Sequence, residues 1–258
     1  MSPGVYNLEN TESQTAEEYY SRRSLWALFA DITFDFKNYL FLGVSARNDW
    51  SSTLPKDHRS YFYPAVTASF VFTDAFHINS NALNFGKIRA SWAKVGNDAS
   101  PYYNNGTYLL GQPYLGQAQM ALRDVRFDPK LKPEFTSEVE VGLDLQMFNS
   151  RLNLDFSYYN RNSTDQIAPL SLPYSTGYTS YYTNFGKMNN HGLEIGLDAT
   201  PVIAGGFKWN LYGTFSKNWS EVKELINGVE EITVGGAFST PKPVLKVGEP
   251  YGILKGTK

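Results

Sequence analysis

Strict alternation of apolar and polar residues over long stretches is the feature that most constrains this chain. From Arg151 to Asn160, Leu152, Leu154, Phe156 and Tyr158 take one face and Arg151, Asn153, Asp155 and Ser157 the other. From Ser137 to Met147, Val139, Val141, Leu143, Leu145 and Met147 alternate with Glu138, Glu140, Asp144 and Gln146. Trp26, Leu28, Ile32, Phe34 and Phe36 stand against Asp31, Thr33 and Asp35, and Leu193, Ile195 and Leu197 against Glu194 and Asp198. Phe207, Trp209, Leu211 and Phe215 against Lys208, Asn210, Thr214 and Ser216 repeat the pattern. A period of two means β-strands with one apolar and one polar face.

The reading predicts eight strands, near residues 25–36, 38–47, 61–72, 85–95, 135–147, 151–160, 187–199 and 207–218. Most are about twice the ~5–6 residues usual in soluble sheets. Eleven residues rising ~3.3 Å each and tilted ~45° span about 25 Å, the height of the apolar band of an outer-membrane barrel. The connections alternate in length. Lys37-Asn38 and Asn149-Ser150 are tight, 200–206 is short and 73–84 intermediate, whereas 48–60, 96–134 and 161–186 are long. Short turns on the periplasmic side and long loops outside the cell are the rhythm of an antiparallel transmembrane β-barrel. Strands 25–36, 61–72, 135–147 and 187–199 then run down to the periplasm and the others run up. Trp26, Tyr39, Tyr61, Phe148, Tyr158, Tyr159 and Trp219 fall near strand ends, where amphipathic rings suit a membrane interface or simply favour strands.

Composition supports this by exclusion. The 258 residues include no Cys, so disulfide scaffolds and thiolate chemistry are out. Net charge is -2, without the basic bias of a nucleic-acid binder. Aromatic residues make up 16%, yet no apolar run approaches the roughly 18 residues of a membrane helix. Asp31, Asp35, Arg47, Lys87, Arg89, Glu138, Glu140, Asp144, Asp155, Glu194 and Asp198 on the polar face cannot face lipid cheaply, so they line a wet lumen or meet something polar that fills it. Met1-Ser2-Pro3-Gly4-Val5 has no secretory-signal character, which leaves a cytosolic protein or an internal piece of an exported one.

Further along, the residues form a recognisable set. Ser45-Ala46-Arg47-Asn48-Asp49-Trp50-Ser51-Ser52 precedes Tyr61-Phe62-Tyr63-Pro64-Ala65-Val66. Ile88-Arg89-Ala90-Ser91-Trp92-Ala93-Lys94-Val95-Gly96-Asn97 and Leu131-Lys132-Pro133-Glu134-Phe135-Thr136 follow. After them come Asp165-Gln166-Ile167, Thr176-Gly177-Tyr178, Asn184-Phe185-Gly186, Asn190-His191-Gly192-Leu193-Glu194 and Val247-Gly248-Glu249-Pro250-Tyr251-Gly252. In order and spacing, across about residues 20–255, the chain resembles the SusC/RagA-like TonB-linked (TonB-dependent) outer-membrane transporters. The resemblance implies about 8–10 strands of a larger barrel of about 22. Residues 1–24 would be a loop entering the barrel, 25–220 the transmembrane strands and loops, and 221–258 an extracellular loop and the start of a further, truncated strand. It also implies bacterial outer-membrane localisation, lipid contact, import of a bulky glycan or peptide, a SusD-like surface lipoprotein, and the TonB complex as energy source. The family's signal, plug, TonB-contacting segment and barrel end have no counterpart here. A piece with unpaired first and last strands is expected to aggregate alone.

Loop 96–134 holds Tyr102, Tyr103, Asn104, Asn105, Tyr108, Gln112, Tyr114 and Gln117, and loop 161–186 holds Tyr174, Tyr178, Tyr181 and Tyr182. Aromatic faces beside amides suit a sugar's ring face and hydroxyl edge, so Tyr102, Tyr103, Tyr108, Tyr114, Tyr178, Tyr181 and Tyr182 are ligand-binding candidates. The alternative is that they only pack the loops. Catalysis finds little support, and no catalytic residue, cofactor or metal is expected. His58, His77 and His191 are far apart in sequence, while Asp124 and Asp128 fit a solvated loop better than a cation site. Two rival readings remain: a passive porin or adhesin barrel, and a soluble carbohydrate-binding β-sandwich.

Overall fold

The computed structural model describes residues 20–103, 106–233 and 241–256. Asn104, Asn105 and most of the segment expected to enter the barrel lie outside the described residues. Fourteen strands are described: β1 (Leu25–Phe36), β2 (Leu40–Ser51), β3 (Ser60–Val71), β4 (Leu83–Asn97), β5 (Tyr108–Tyr114), β6 (Gln117–Leu122), β7 (Val125–Phe127), β8 (Glu134–Met147), β9 (Leu152–Ser171), β10 (Ser180–Ala204), β11 (Phe207–Leu225), β12 (Glu231–Thr233), β13 (Lys242–Lys246) and β14 (Ile253–Lys255). The long strands form one antiparallel meander, in the order β1-β2-β3-β4-β8-β9-β10-β11. Among the described residues β1 and β11 each pair with one long strand, so the sheet is an open arc of barrel wall.

Turn chemistry sets the hairpins. Lys37 and Asn38 both hold positive φ (53° and 57°), and Tyr39 N–H donates to Phe36 O at 3.3 Å. Two left-handed residues match the right-handed twist of the flanking strands. Phe148, Asn149 and Ser150 do the same between β8 and β9, and Gly205-Gly206 links β10 to β11. These connections share one end of the wall with α1 (Phe72–Ala75), which joins β3 towards β4. Aromatic rings collect there: Phe36–Tyr39, Tyr39–Phe70 and Phe70–Phe76 meet edge-on with centroids 5.6, 6.1 and 5.9 Å apart. At the opposite end Trp26 stacks on Trp50 at 4.2 Å, across the register pair of β1 and β2.

The two faces of the wall are treated oppositely. Leu28, Ile32 and Phe34 of β1, Val44 of β2, Val139 and Val141 of β8, and Phe215 of β11 all point away from the concave side and remain exposed. In a soluble sheet this face would be the core; here none of the described residues covers it, as lipid-facing residues require. Buried apolar residues instead gather beyond the wall at the long-loop end. One cluster is Leu54, Tyr61, Ala99 and Leu131, and another is Phe185, Val222, Leu225 and Leu245.

The concave face carries paired charge. Asp144 of β8 and Asp155 of β9 are directly opposed in register, an arrangement of like charges that destabilises a sheet. Arg89 lies across both. Its Nη1 donates to Asp144 Oδ1 and, at 3.0 Å, to Asp155 Oδ2, and its Nη2 donates to Asp155 Oδ1 at 3.2 Å and Ser157 Oγ at 2.6 Å. Lys87 Nζ sits 2.7 Å from Asp144 Oδ2, and Glu138 pairs with Arg161 at 2.5 Å. Arg89 can lie flat because its register partner is Gly142; a Cβ there would collide with the guanidinium. Gly192 serves Tyr159 in the same way, since a Cβ would stand 2.6 Å from the phenol oxygen, which reaches across to Asn218 Oδ1 at 3.1 Å.

The structure corrects two expectations about loops. Segment 96–134 is not structureless: it contains the β5–β6 hairpin and β7, which pairs in parallel with β10 at Ser180–Tyr182. Most of segment 161–186 is strand, because β9 runs on to Ser171 and β10 begins at Ser180. Register shifts fall in β10 between Asn184 and Met188, at the level where the paired strands continue past the apolar band. Bulges at barrel rims re-aim strands in this way.

Candidate functional site

The long-loop end of the wall is where chemistry-bearing side chains converge. Its base is a network of buried carboxylates. Asp98, just past β4, accepts hydrogen bonds from Ser51 Oγ, from Thr53 Oγ1 at 2.8 Å, and from Arg23 Nη2 (2.6 Å) and Nε (3.1 Å). Asp49 accepts from Arg47 Nε at 2.7 Å and Tyr63 OH at 2.5 Å. Both carboxylates are about nine-tenths or more buried, and such groups stay charged only with donors around them. The stretch Arg47-Asn48-Asp49-Trp50-Ser51-Ser52 is thus a rim clamp: of its alternate inward-facing residues, Ser51 bonds Asp98 at the start of the great loop, while Arg47 and Asp49 bond each other and Tyr63 of β3.

Above the clamp, Tyr103 meets Tyr182 at 4.4 Å and Phe127 at 5.8 Å, and Phe127 and Tyr182 stack at 6.0 Å. Parallel pairing of β7 with β10 sets Phe127 beside Tyr182 on one face and Arg126 beside Tyr181 on the other. The Arg126 guanidinium lies 5.1 Å from the Tyr181 ring centre. Hydrogen bonding to Tyr103, followed by burial, pushes the Tyr182 phenol up to about 12. Burial first, and then Asp128, raises that of Tyr181.

Asp124 and Asp128 fasten this layer. Thr179 Oγ1 donates to Asp124 Oδ2 at 2.9 Å, and Thr179 N–H donates to Asp124 O at 2.6 Å. Asp128 Oδ2 accepts from Thr183 Oγ1 at 2.7 Å and Oδ1 from Lys130 N–H at 2.9 Å. Burial would raise the Asp128 carboxyl, but the hydrogen bonds from Thr183, Lys130 and Tyr181 outweigh it and hold it below the usual carboxylate range.

Of the tyrosines singled out in the sequence, the structure brings together Tyr103 and Tyr182, while Tyr181 faces the other side of the strand beside Arg126. Tyr102 is exposed, with its oxygen accepting from Arg22 N–H at 3.1 Å. Tyr108 and Tyr114 stand on the exposed β5–β6 hairpin, and Tyr178 is half-buried beside the β9–β10 turn. Sequence reasoning assigned no role to Asp49, Asp98 or Phe127. The inward parity of Asp49 and Ser51 on β2 was the available signal for the clamp. Among the described residues no three His, Asp or Glu side chains converge as metal ligands. Below the rim, the inner face encloses an open concavity of about 1090 Å³ lined by Lys87, Arg89, Asp144, Asp155, Glu194 and Asp198 among others.

A long-stranded meander, apolar outside and charged within, is matched over residues 2–251 by the family model for the TonB-dependent receptor-like β-barrel. The chain belongs to that family. TonB-dependent receptors of this kind are outer-membrane β-barrels, which places the chain in the bacterial outer membrane. It is 28% identical to the TonB-dependent receptor P26 of Formosa agariphila, over 99% of this chain and 26% of that protein. It is 26% identical to the TonB-dependent receptor SusC of Bacteroides thetaiotaomicron, over 86% of this chain and 23% of that protein. The chain spans about a quarter of the length of these relatives. Among solved structures, the RagAB peptide transporter superposes with a TM-score of 0.82 at 23% identity, covering 89% of this chain and 25% of its counterpart, which supports the fold.

Proposed function

We propose that this chain forms a sector of the wall, lumen lining and external loops of a TonB-dependent importer of a bulky nutrient, an oligosaccharide or a peptide. The observation that carries the reading is the opposite treatment of the two faces. The outer face is apolar and uncovered, while the inner face holds Arg89, Lys87, Asp144 and Asp155 in a bonded network around an open concavity. A wet, charged lumen suits a wide barrel that holds a polar plug or passes a polar cargo. The TonB-dependent relatives support energy coupling, and the resemblance to SusC supports a surface lipoprotein over the rim. On this reading Tyr102, Tyr108, Tyr114 and Tyr178 are cargo contacts, whereas Tyr103, Tyr181 and Tyr182 hold the loops in place. The membrane-spanning part of the chain lies within residues 25–220, with the remainder outside it.

Uptake tests this directly. Labelled oligosaccharides and peptides are offered to cells carrying the parent gene, to cells lacking it, and to cells lacking TonB. Uptake that needs both the parent gene and TonB is expected. Flux that survives loss of TonB would make the barrel a passive pore, and recovery of the parent protein in the soluble fraction would remove it from the membrane altogether.

A further inference from the structure

The outward face of β9, β10 and β11 changes character towards its long-loop end. Lower down it carries Leu154, Phe156, Ile195, Leu197 and Phe215. Continuing on the same parity come Asn160 and Asn162 of β9, Asn189 and His191 of β10, and Lys217 and Trp219 of β11. Asn162 is the eleventh residue of β9 and Lys217 the eleventh of β11, both strands rising from tight turns. Eleven residues rising ~3.3 Å each and tilted ~45° climb about 25 Å, which puts both at the outer edge of the apolar band.

These side chains are joined so that donors are left over. Asn189 Nδ2 donates to Asn160 Oδ1 at 2.6 Å and to Asn162 Oδ1 at 2.8 Å, and Asn189 Oδ1 meets His191 Nδ1 at 3.2 Å. The amide oxygens are thereby engaged, while the amino groups of Asn160 and Asn162 have no acceptor among the described residues. His191 lies flat against Trp219, with centroids 5.5 Å apart, and Lys217 Nζ sits 4.9 Å from the Trp219 ring centre. Among the described residues Lys217 has an aromatic partner and no carboxylate, unlike the inner-face cations, where Asp144 pairs with Lys87, Asp155 with Arg89 and Glu138 with Arg161. Glu221, next along the outward face, is taken up by Lys223 at 2.7 Å.

An ammonium at the edge of the hydrocarbon draws its counter-charge from its surroundings when the protein supplies none. Spare amide N–H groups beside it favour an anion rich in oxygen. Lys217 and Asn160 stand two strands apart, about 10 Å at ~4.8 Å per strand, which is wider than one inorganic ion. We propose that this patch binds the phosphorylated sugar headgroup of an outer-leaflet glycolipid. Lys217 Nζ meets the phosphate, and the Asn160 and Asn162 amino groups meet headgroup oxygens. The site lies on the lipid side of the wall and is independent of the cargo in the lumen.

The test uses the full-length parent protein purified from outer membranes and stripped of lipid, with diacylglucosamine phosphate as probe and diacylglucosamine as control. Native mass spectrometry is expected to show the phosphorylated lipid retained roughly fivefold or more tightly than the control. Lys217→Gln is expected to remove most of that preference. Asn160→Asp keeps the oxygen that receives Asn189 but sets a negative charge against the headgroup, and is expected to weaken the phosphorylated lipid about tenfold. Lys56→Gln, which removes an exposed lysine of the external loop after β2, is expected to change nothing. Excess inorganic phosphate is expected to leave the lipid bound. Heat-modifiable migration on gels confirms that each variant is folded; if Asn160→Asp is not, Lys217→Gln carries the test. Equal retention of the two lipids, wild-type preference in folded Lys217→Gln, or an equal loss in Lys56→Gln overturns the site. Displacement by inorganic phosphate would make it a site for a free anion and likewise overturn the headgroup.

Discussion

Arg89→Met tests the wall network most directly. The substitution keeps much of the side chain's length and removes the charge that separates Asp144 from Asp155. Opposed residues in an antiparallel pair hold their Cβ atoms ~4.5–5.5 Å apart. Two carboxylates about 5 Å apart repel by about 3 kcal/mol at an effective dielectric of ~20. Asp155 is 56% exposed and Lys87 still neutralises part of Asp144, so water and the lysine reduce that penalty. The lost hydrogen bonds to Asp155 and Ser157 add to it, giving about 2 kcal/mol in all. The assay is urea unfolding of the full-length protein in detergent micelles, followed by tryptophan fluorescence. A double-mutant cycle with Asp155→Asn removes the repulsion without restoring the arginine, and is expected to recover most of the loss. A destabilisation below about 0.5 kcal/mol, or no recovery in Arg89→Met/Asp155→Asn, would show that solvent alone already screens the two aspartates.

Three other outcomes follow from the geometry. Val141→Arg, on the uncovered face near the middle of β8, is expected to cost about 2–4 kcal/mol and lower folding yield into vesicles, whereas Ser91→Arg on the inner face is expected to fold normally. Gly192→Val is expected to reduce the heat-resistant folded fraction on gels, because its Cβ would meet both Lys217 O and the Tyr159 phenol at 2.6 Å. Asp128 has a carboxyl held below its ordinary value, so its anchoring is complete above the unfolded value of ~3.9 and fades as pH falls through the lower folded value. Protection of Lys130 N–H from hydrogen exchange, taken relative to the intrinsic amide rate at each pH, is therefore expected to fall on acidification below about pH 4, and Asp128→Asn is expected to flatten that dependence.

Inside the membrane the fold was legible because lipid and lumen impose opposite solvents on alternate residues. β1 was read from Leu25 to Phe36, the bounds the structure gives, and β8 and β11 differ from expectation mainly at one end. The signal faded where the strands leave the membrane. Asn160, Arg161, Asn162, Ser163 and Thr164 are polar on both faces, so the alternation vanishes while β9 goes on pairing with β10. The β5–β6 hairpin was missed for a related reason: Tyr108, Leu110, Met120 and Leu122 are all exposed and, among the described residues, pack on no second layer, leaving no face to be patterned. The tyrosines were legible as a set, but their roles were not. Tyr103 meets Tyr182 only because β7 adds in parallel to β10, a pairing that three residues of β7 do not announce.

The insertion between β4 and β8 has a consequence for how such walls diversify. Asn97 and Glu134 are register partners, so the whole excursion through β5, β6 and β7 starts and ends at one rung of the ladder. Doubling the length of a flexible loop costs only about 0.6 kcal/mol in closure entropy. The rung, held by the clamp around Asp98, therefore works as a socket. What the cell surface displays can lengthen, shorten or be exchanged there, while the staves below keep their spacing and need no compensating change.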